Sequence, residues 1–163
     1  MLEIVVATHN PDKLKEIKTI LNLDKVKLVV CEDLPEIEET GKTLEENAIK
    51  KACFAQEYTG KPAIGEDTGL FVEALGGRPG VYSARFAGEK ATYYDNCIKL
   101  LKELEGVPDD LRTAEFRCVV AIKFPGEKVY TFEGKLRGKI ARELRGEGGF
   151  GYDPIFIVNG YNK

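Results

Sequence analysis

Leu2-Glu3-Ile4-Val5-Val6-Ala7-Thr8-His9-Asn10-Pro11-Asp12-Lys13 opens the chain, and the change of pattern inside it decides the fold class. Leu2 to Ala7 is an apolar run of strand length, and Thr8 to Pro11 breaks it. A helix is predicted to start there. Asn10 is a good N-cap, and Pro11 suits the first helical position, where a missing N–H is no loss. Leu14, Ile17 and Leu21 recur at helical spacing and predict a buried stripe. Lys25 to Cys31 reads as a second strand, so the chain begins by alternating strand and helix.

Further along, Glu32 to Gly41 is an acidic loop, and a second helix follows. Thr43 and Glu46 have capping-box spacing; Leu44, Ala48, Ala52, Ala55 and Tyr58 make one face; Gly60 stands where a C-terminal cap belongs. Pro62 to Gly65 and Leu70 to Val72 are short apolar pieces on either side of a break at Glu66-Asp67-Thr68-Gly69. Tyr94, Cys97, Ile98, Leu101 and Leu104 predict a third helix that ends at Gly106. Arg112 to Glu133 shifts to period two around a Pro125-Gly126 turn, a hairpin whose return strand is Val129 to Phe132. Ile155 to Val158 is one more strand. The fold class is α/β, a mixed sheet with flanking helices.

Composition narrows the function. A chain of 163 residues, 43% hydrophobic and 31% charged, fits one domain, or one domain of two lobes. The longest apolar stretch, Cys118 to Ile122, is far shorter than the roughly 18 residues a membrane helix needs, so no membrane partner is expected. The start of the chain lacks a basic region and a cleavage site, which predicts a cytoplasmic protein. A net charge of -3 argues against nucleic acid as a partner. Cys31, Cys53, Cys97 and Cys118 have no metal-site spacing and read as buried reduced thiols. The single histidine, His9, and the single serine, Ser83, do not sit in a nucleophile motif.

Three segments carry chemistry, and two nucleotide fingerprints fail. Thr8 to Lys13 joins a buried strand to a helix N-terminus, a cradle for phosphate that Lys13 can reach; Asn10 as a plain cap and Lys13 as a solvated lysine is the alternative. Glu66-Asp67 sets two adjacent carboxylates between apolar runs, where a Mg²⁺ ion shared with substrate phosphates would suit them, or where they are simply turn residues. Asn47 and Lys51 share one helix face. Gly146, Gly148 and Gly151 have dinucleotide-loop spacing without the strand-to-helix context, and Gly41-Lys42-Thr43 lacks the earlier glycine of a P-loop.

Together these segments, with Glu39-Thr40-Gly41, Glu46-Asn47-Ala48, Leu75 to Arg85 and Gly148 to Pro154, resemble the inosine/xanthosine triphosphate pyrophosphatase family over nearly the whole chain. The resemblance implies an elongated two-lobed α/β subunit around a long mixed sheet, with the active-site cleft between lobes and a homodimer as the usual assembly. It implies Mg²⁺-dependent hydrolysis of purine nucleoside triphosphates, namely ITP, dITP and XTP, to the monophosphate and pyrophosphate. By position it puts Thr8, Asn10, Lys13 and Lys51 on the triphosphate, Glu39 and Asp67 on Mg²⁺, and Asp67 as acceptor of the proton from the attacking water. Thr68 takes the place of a substrate-contacting serine, and Phe150, Gly151, Tyr152 and Asp153 match the segment that contacts the base. Glu66 and Thr68 depart from the commoner Asp and Ser. The family pattern continues into a tail with a lysine and a Ser-His-Arg motif, whereas this sequence closes at Asn162-Lys163, so retained chemistry with blurred base selectivity is expected. A nucleotide-binding form without turnover, and a pyrophosphatase for other modified nucleotides, are the competing expectations.

Overall fold

Alternation at the start and a hairpin later are what the chain builds. The structure, a computed structural model, describes residues 2–20, 26–145 and 151–159. Its strands are β1 (Leu2–Val6), β2 (Val26–Val29), β3 (Ala63–Val72), β4 (Pro79–Gly80), β5 (Thr113–Lys123), β6 (Val129–Ile140) and β7 (Phe156–Val158); its helices are α1 (Pro11–Ile20), α2 (Leu44–Thr59) and α3 (Tyr93–Glu103). The described strands form one mixed sheet in the order β2-β1-β3-β5-β6-β7, with β4 beside β3. Residues 1–67 with 118–133 make one compact unit, and residues 68–117 with 134–163 make a second.

In the first unit β1 lies parallel to both its neighbours, pairing Leu2 with Val26 through Val5 with Val29 on one side, and Val5 with Ala63 and Val6 with Ile64 on the other. The chain leaves β1 toward β2 and returns across β1 to β3. That reversal makes the carboxyl ends of β1 and β3 a topological switch point, the place where open α/β sheets receive ligands. The core here is small-sided: Val5, Ala7, Leu34, Ala55 and Ala63. The second unit packs larger side chains, among them Leu70, Phe86, Leu100, Leu104, Tyr152 and Ile155.

Several expectations need correction. The chain does not break at Glu66-Asp67-Thr68-Gly69; β3 runs through all four residues, because each carboxylate meets a partner that makes a strand position tolerable. The return strand of the hairpin does not stop at Phe132 but continues to Ile140, held by backbone pairing to β7 and not by an apolar face. Tyr58 and Tyr94 lie off the buried faces, 47% and 63% exposed. Leu14 and Ile17 are only half-buried, and Leu21 lies outside the described residues. Of the four cysteines, all free, only Cys97 is buried. The α2 cap is half of the expected box: Thr43 Oγ1 accepts from Glu46 N–H, while the Glu46 carboxylate turns to the N–H of Lys42. Gly60 closes α2 in the left-handed region at φ 72°, as a C-terminal cap requires.

Candidate active site

Five charged side chains of the first unit converge at the switch point, and each is placed by a different local device. At the end of β1 the turn closes on itself: Asn10 N–H donates to Thr8 Oγ1 at 3.0 Å, and Asn10 Oδ1 accepts from Asp12 N–H at 2.9 Å and Lys13 N–H at 3.4 Å. Asn10 therefore caps α1, and an arriving phosphate must compete with its amide oxygen for those N–H groups. The cap also sets Lys13 in the first turn, from which its ammonium reaches Glu66 at 3.3 Å.

Adjacent residues of a strand face opposite ways, and β3 uses this to serve both helices. Glu66 meets Lys13 of α1, whereas Asp67 meets α2 by accepting from Asn47 Nδ2 at 3.0 Å. The close approach of α2 depends on Gly65, where a Cβ would stand 2.2 Å from the Ala48 carbonyl oxygen. One turn further along α2, Lys51 pairs with Glu39 and donates to the Glu66 carbonyl at 3.1 Å.

The electrostatics follow from this crowding. Asp67 is 3% exposed, and burial, reinforced by the charge of Glu39, pushes its carboxyl up to about 6 against the pull of Lys51, Asn47 and Lys13. Burial alone lowers Lys13, yet Glu66, Asp67 and Glu39 outweigh it and hold its ammonium above the ordinary value. Three carboxylates thus face two lysines, an excess of negative charge before any phosphate arrives.

That excess is where a cation fits. Among the described residues no three His, Cys, Asp or Glu side chains form a metal cage. An oxygen-only pair such as Glu39 and Asp67 suits a hard divalent ion that keeps several waters and shares substrate phosphates. Glu66 and Asn47, which the sequence offers as neighbours of Asp67 and Lys51 and to which the resemblance gives no role, belong to the same constellation. A glycine directly before the acidic pair was the available signal for Gly65, since glycine inside a strand pattern marks a close backbone approach.

In the second unit Thr68 is half-buried next to Asp67 in sequence. Tyr152 is 4% exposed and donates its hydroxyl to the Ser83 carbonyl at 2.7 Å, so burial holds its phenol well above the ordinary range. Gly151 is half-buried and Asp153 exposed, while Phe150 lies outside the described residues. Ser83 is a structural hydroxyl, accepting from Leu70 N–H and donating to the Gly80 carbonyl.

The Ham1 family profile matches residues 4–163, nearly the whole chain. The chain belongs to the Ham1 family. A dITP/XTP pyrophosphatase of Geobacter sulfurreducens is 54% identical over 98% of this chain and 81% of its own. One of the same name from Bacillus subtilis is 51% identical over 100% of this chain and 84% of its own. Among solved structures, a HAM1 protein from Coxiella burnetii superposes with a TM-score of 0.86 at 44% identity, covering 96% of this chain and 81% of its own. This member of the Ham1 family therefore spans about four fifths of the length of these relatives.

Proposed function

We propose that this Ham1-family chain hydrolyses dITP, ITP and XTP at the α–β phosphoanhydride bond, releasing the nucleoside monophosphate and pyrophosphate. It is a nucleoside triphosphate pyrophosphatase that removes deaminated purines from the nucleotide pool. The observation that carries the reading is buried Asp67 set among Lys13, Lys51, Glu39 and Glu66 at the switch point. Relatives about half identical over nearly the whole chain bear that activity in their names.

Each residue has work that its position suits. Thr8, Asn10 and the first turn of α1 receive phosphate oxygens, and Lys13 and Lys51 exchange their carboxylate partners for phosphate. Glu39 and Asp67 would hold the divalent cation, for which Mg²⁺ is our assignment. When bound, that ion neutralises phosphate charge. Asp67 accepts the proton as the water oxygen forms its bond to the α-phosphorus; the α–β P–O bond breaks and pyrophosphate leaves with the electron pair. A carboxyl at about 6 is a stronger base than an ordinary aspartate and is still ionised near neutrality. We assign base recognition to Thr68, Phe150, Gly151 and Asp153; Tyr152, its hydroxyl committed to Ser83, holds that segment in place.

The working form in this reading is a cytoplasmic homodimer. Exposed Tyr94 and Ile98 on α3, at 63% and 38%, support a partner surface, and sedimentation velocity tests it. The reaction is tested by pyrophosphate release from dITP, XTP, dGTP and dATP with and without Mg²⁺. Metal-dependent release from the first two is the expected result. Binding of dITP without release contradicts it.

A further inference from the structure

Asn47 carries no charge and is 1% exposed, yet it touches both acidic segments of the site. Its Oδ1 accepts from Gly41 N–H at 2.8 Å, two residues after Glu39, and its Nδ2 donates to Asp67 Oδ2 at 3.0 Å. The orientation of the amide is fixed by its partners, because the backbone N–H can only donate and the ionised carboxylate can only accept. Donating on one side and accepting on the other is what an amide of this length does. The surroundings are shaped for it: a Cβ at Gly41 would stand 2.6 Å from Asn47 Oδ1, and Gly65 clears the path of α2 toward β3. Lys50 ties the same loop through the Glu38 carbonyl at 2.8 Å and Thr40 Oγ1 at 2.9 Å, so the loop is fixed at several points, and Asn47 links it to Asp67 by hydrogen bonds.

We propose that Asn47 is a positioning residue that bridges the Glu39 loop to Asp67 and thereby fixes the distance and direction between the two carboxylates the reaction uses. The proposal rests on the roles given to Glu39 and Asp67 above. Partners behind ligating and catalytic groups typically account for about 10- to 100-fold in affinity or rate.

The test compares wild type, Asn47→Ala, Asn47→Asp, Asp67→Asn and the double variant Asn47→Ala/Asp67→Asn as full-length proteins. Two quantities are read: steady-state dITP hydrolysis in saturating Mg²⁺, and Mn²⁺ affinity by EPR in the presence of the α,β-imido analogue of dITP. Asn47→Asp keeps the size and the acceptor for Gly41, so it guards against loss of the fold, while it replaces donation to Asp67 by repulsion. The expected result is a kcat at least tenfold lower for both Asn47 variants with KM within about threefold, and weaker Mn²⁺ binding in Asn47→Ala. In the Asp67→Asn background, Asn47→Ala should weaken Mn²⁺ no further. Folded Asn47 variants with unchanged kcat, or the same added Mn²⁺ loss in both backgrounds, overturn the proposal alone. A wild type inactive on dITP, or an Asp67→Asn variant with full turnover, overturns the underlying reading and the proposal with it.

Discussion

The two units of this chain bury polar side chains in opposite ways. In the second unit Ser83, Asn96 and Arg112 are buried and each is satisfied by main chain. Asn96 accepts from Ala87 N–H and donates to the Ala84 carbonyl, and Arg112 donates to the carbonyls of Ile140, Leu104, Val107 and Ala141. These three side chains spend their hydrogen bonds on the fold. In the first unit Asn47, Lys51 and Asp67 are buried against one another and against further charges. Burial with backbone partners rigidifies a fold, whereas burial of like charges stores a demand for something that arrives from outside. By this difference, and not by residue type, the first-unit residues are the ones we propose act on substrate.

Substituting Asp67 by Asn should produce the largest effect and split the two meanings of burial. Turnover of dITP is expected to fall by about 10³-fold, within the range for removing a general base. Stability moves the other way. The folded Asp67 carboxyl at about 6 lies above its unfolded value of 3.8, so ionisation opposes folding. The penalty is absent below pH 4, grows as pH rises to about 6, and is complete above that. The metal-free variant should therefore be more stable than wild type by roughly 2–3 kcal/mol at pH 7.5, with the gain vanishing near pH 3.5. Urea melts at the two pH values measure it.

Arg112→Met is the matching change in the second unit. It strips donors from four carbonyls, three of them buried, and is expected to destabilise by about 3 kcal/mol while kcat per folded molecule stays the same. A loss of kcat with unchanged stability would erase the contrast between the units. Glu39→Gln should have a smaller and subtler effect: it removes the carboxylate paired with Lys51, so metal-free pyrophosphate binding tightens several-fold in calorimetry, and the enhancement of that binding by Mg²⁺ shrinks. Smallest of all is Glu3→Gln, which breaks an exposed pair with Lys61 and should leave the urea melt unchanged, because water and salt screen such a pair.

How much of this was legible in the sequence depends on whether the signal was local. The strand, break and capped helix around Asn10 follow from residues within a few positions of each other, and so does the Gly60 cap. Thr8, Lys13, Glu39, Lys51 and Asp67 were candidates through the resemblance of ordered motifs. What could not be read was long-range. Glu66-Asp67 looks like a turn until Lys13 and Asn47, far away in sequence, make a strand position acceptable. The second half of β6 carries Lys135, Arg137 and Lys139, with no alternation of apolar residues to declare it; pairing of Gly138 with Val158 does so instead. The bond from the Tyr152 hydroxyl to the Ser83 carbonyl is another long-range tie that no local pattern declares.

The most direct test of the central claim is pyrophosphate release from dITP by wild type and Asp67→Asn, side by side, with Mg²⁺ present and absent. Buried charge held for catalysis predicts rapid release only from wild type with Mg²⁺, and a loss of about 10³-fold in the more stable variant. Release of orthophosphate in place of pyrophosphate, or undiminished turnover by Asp67→Asn, would contradict it.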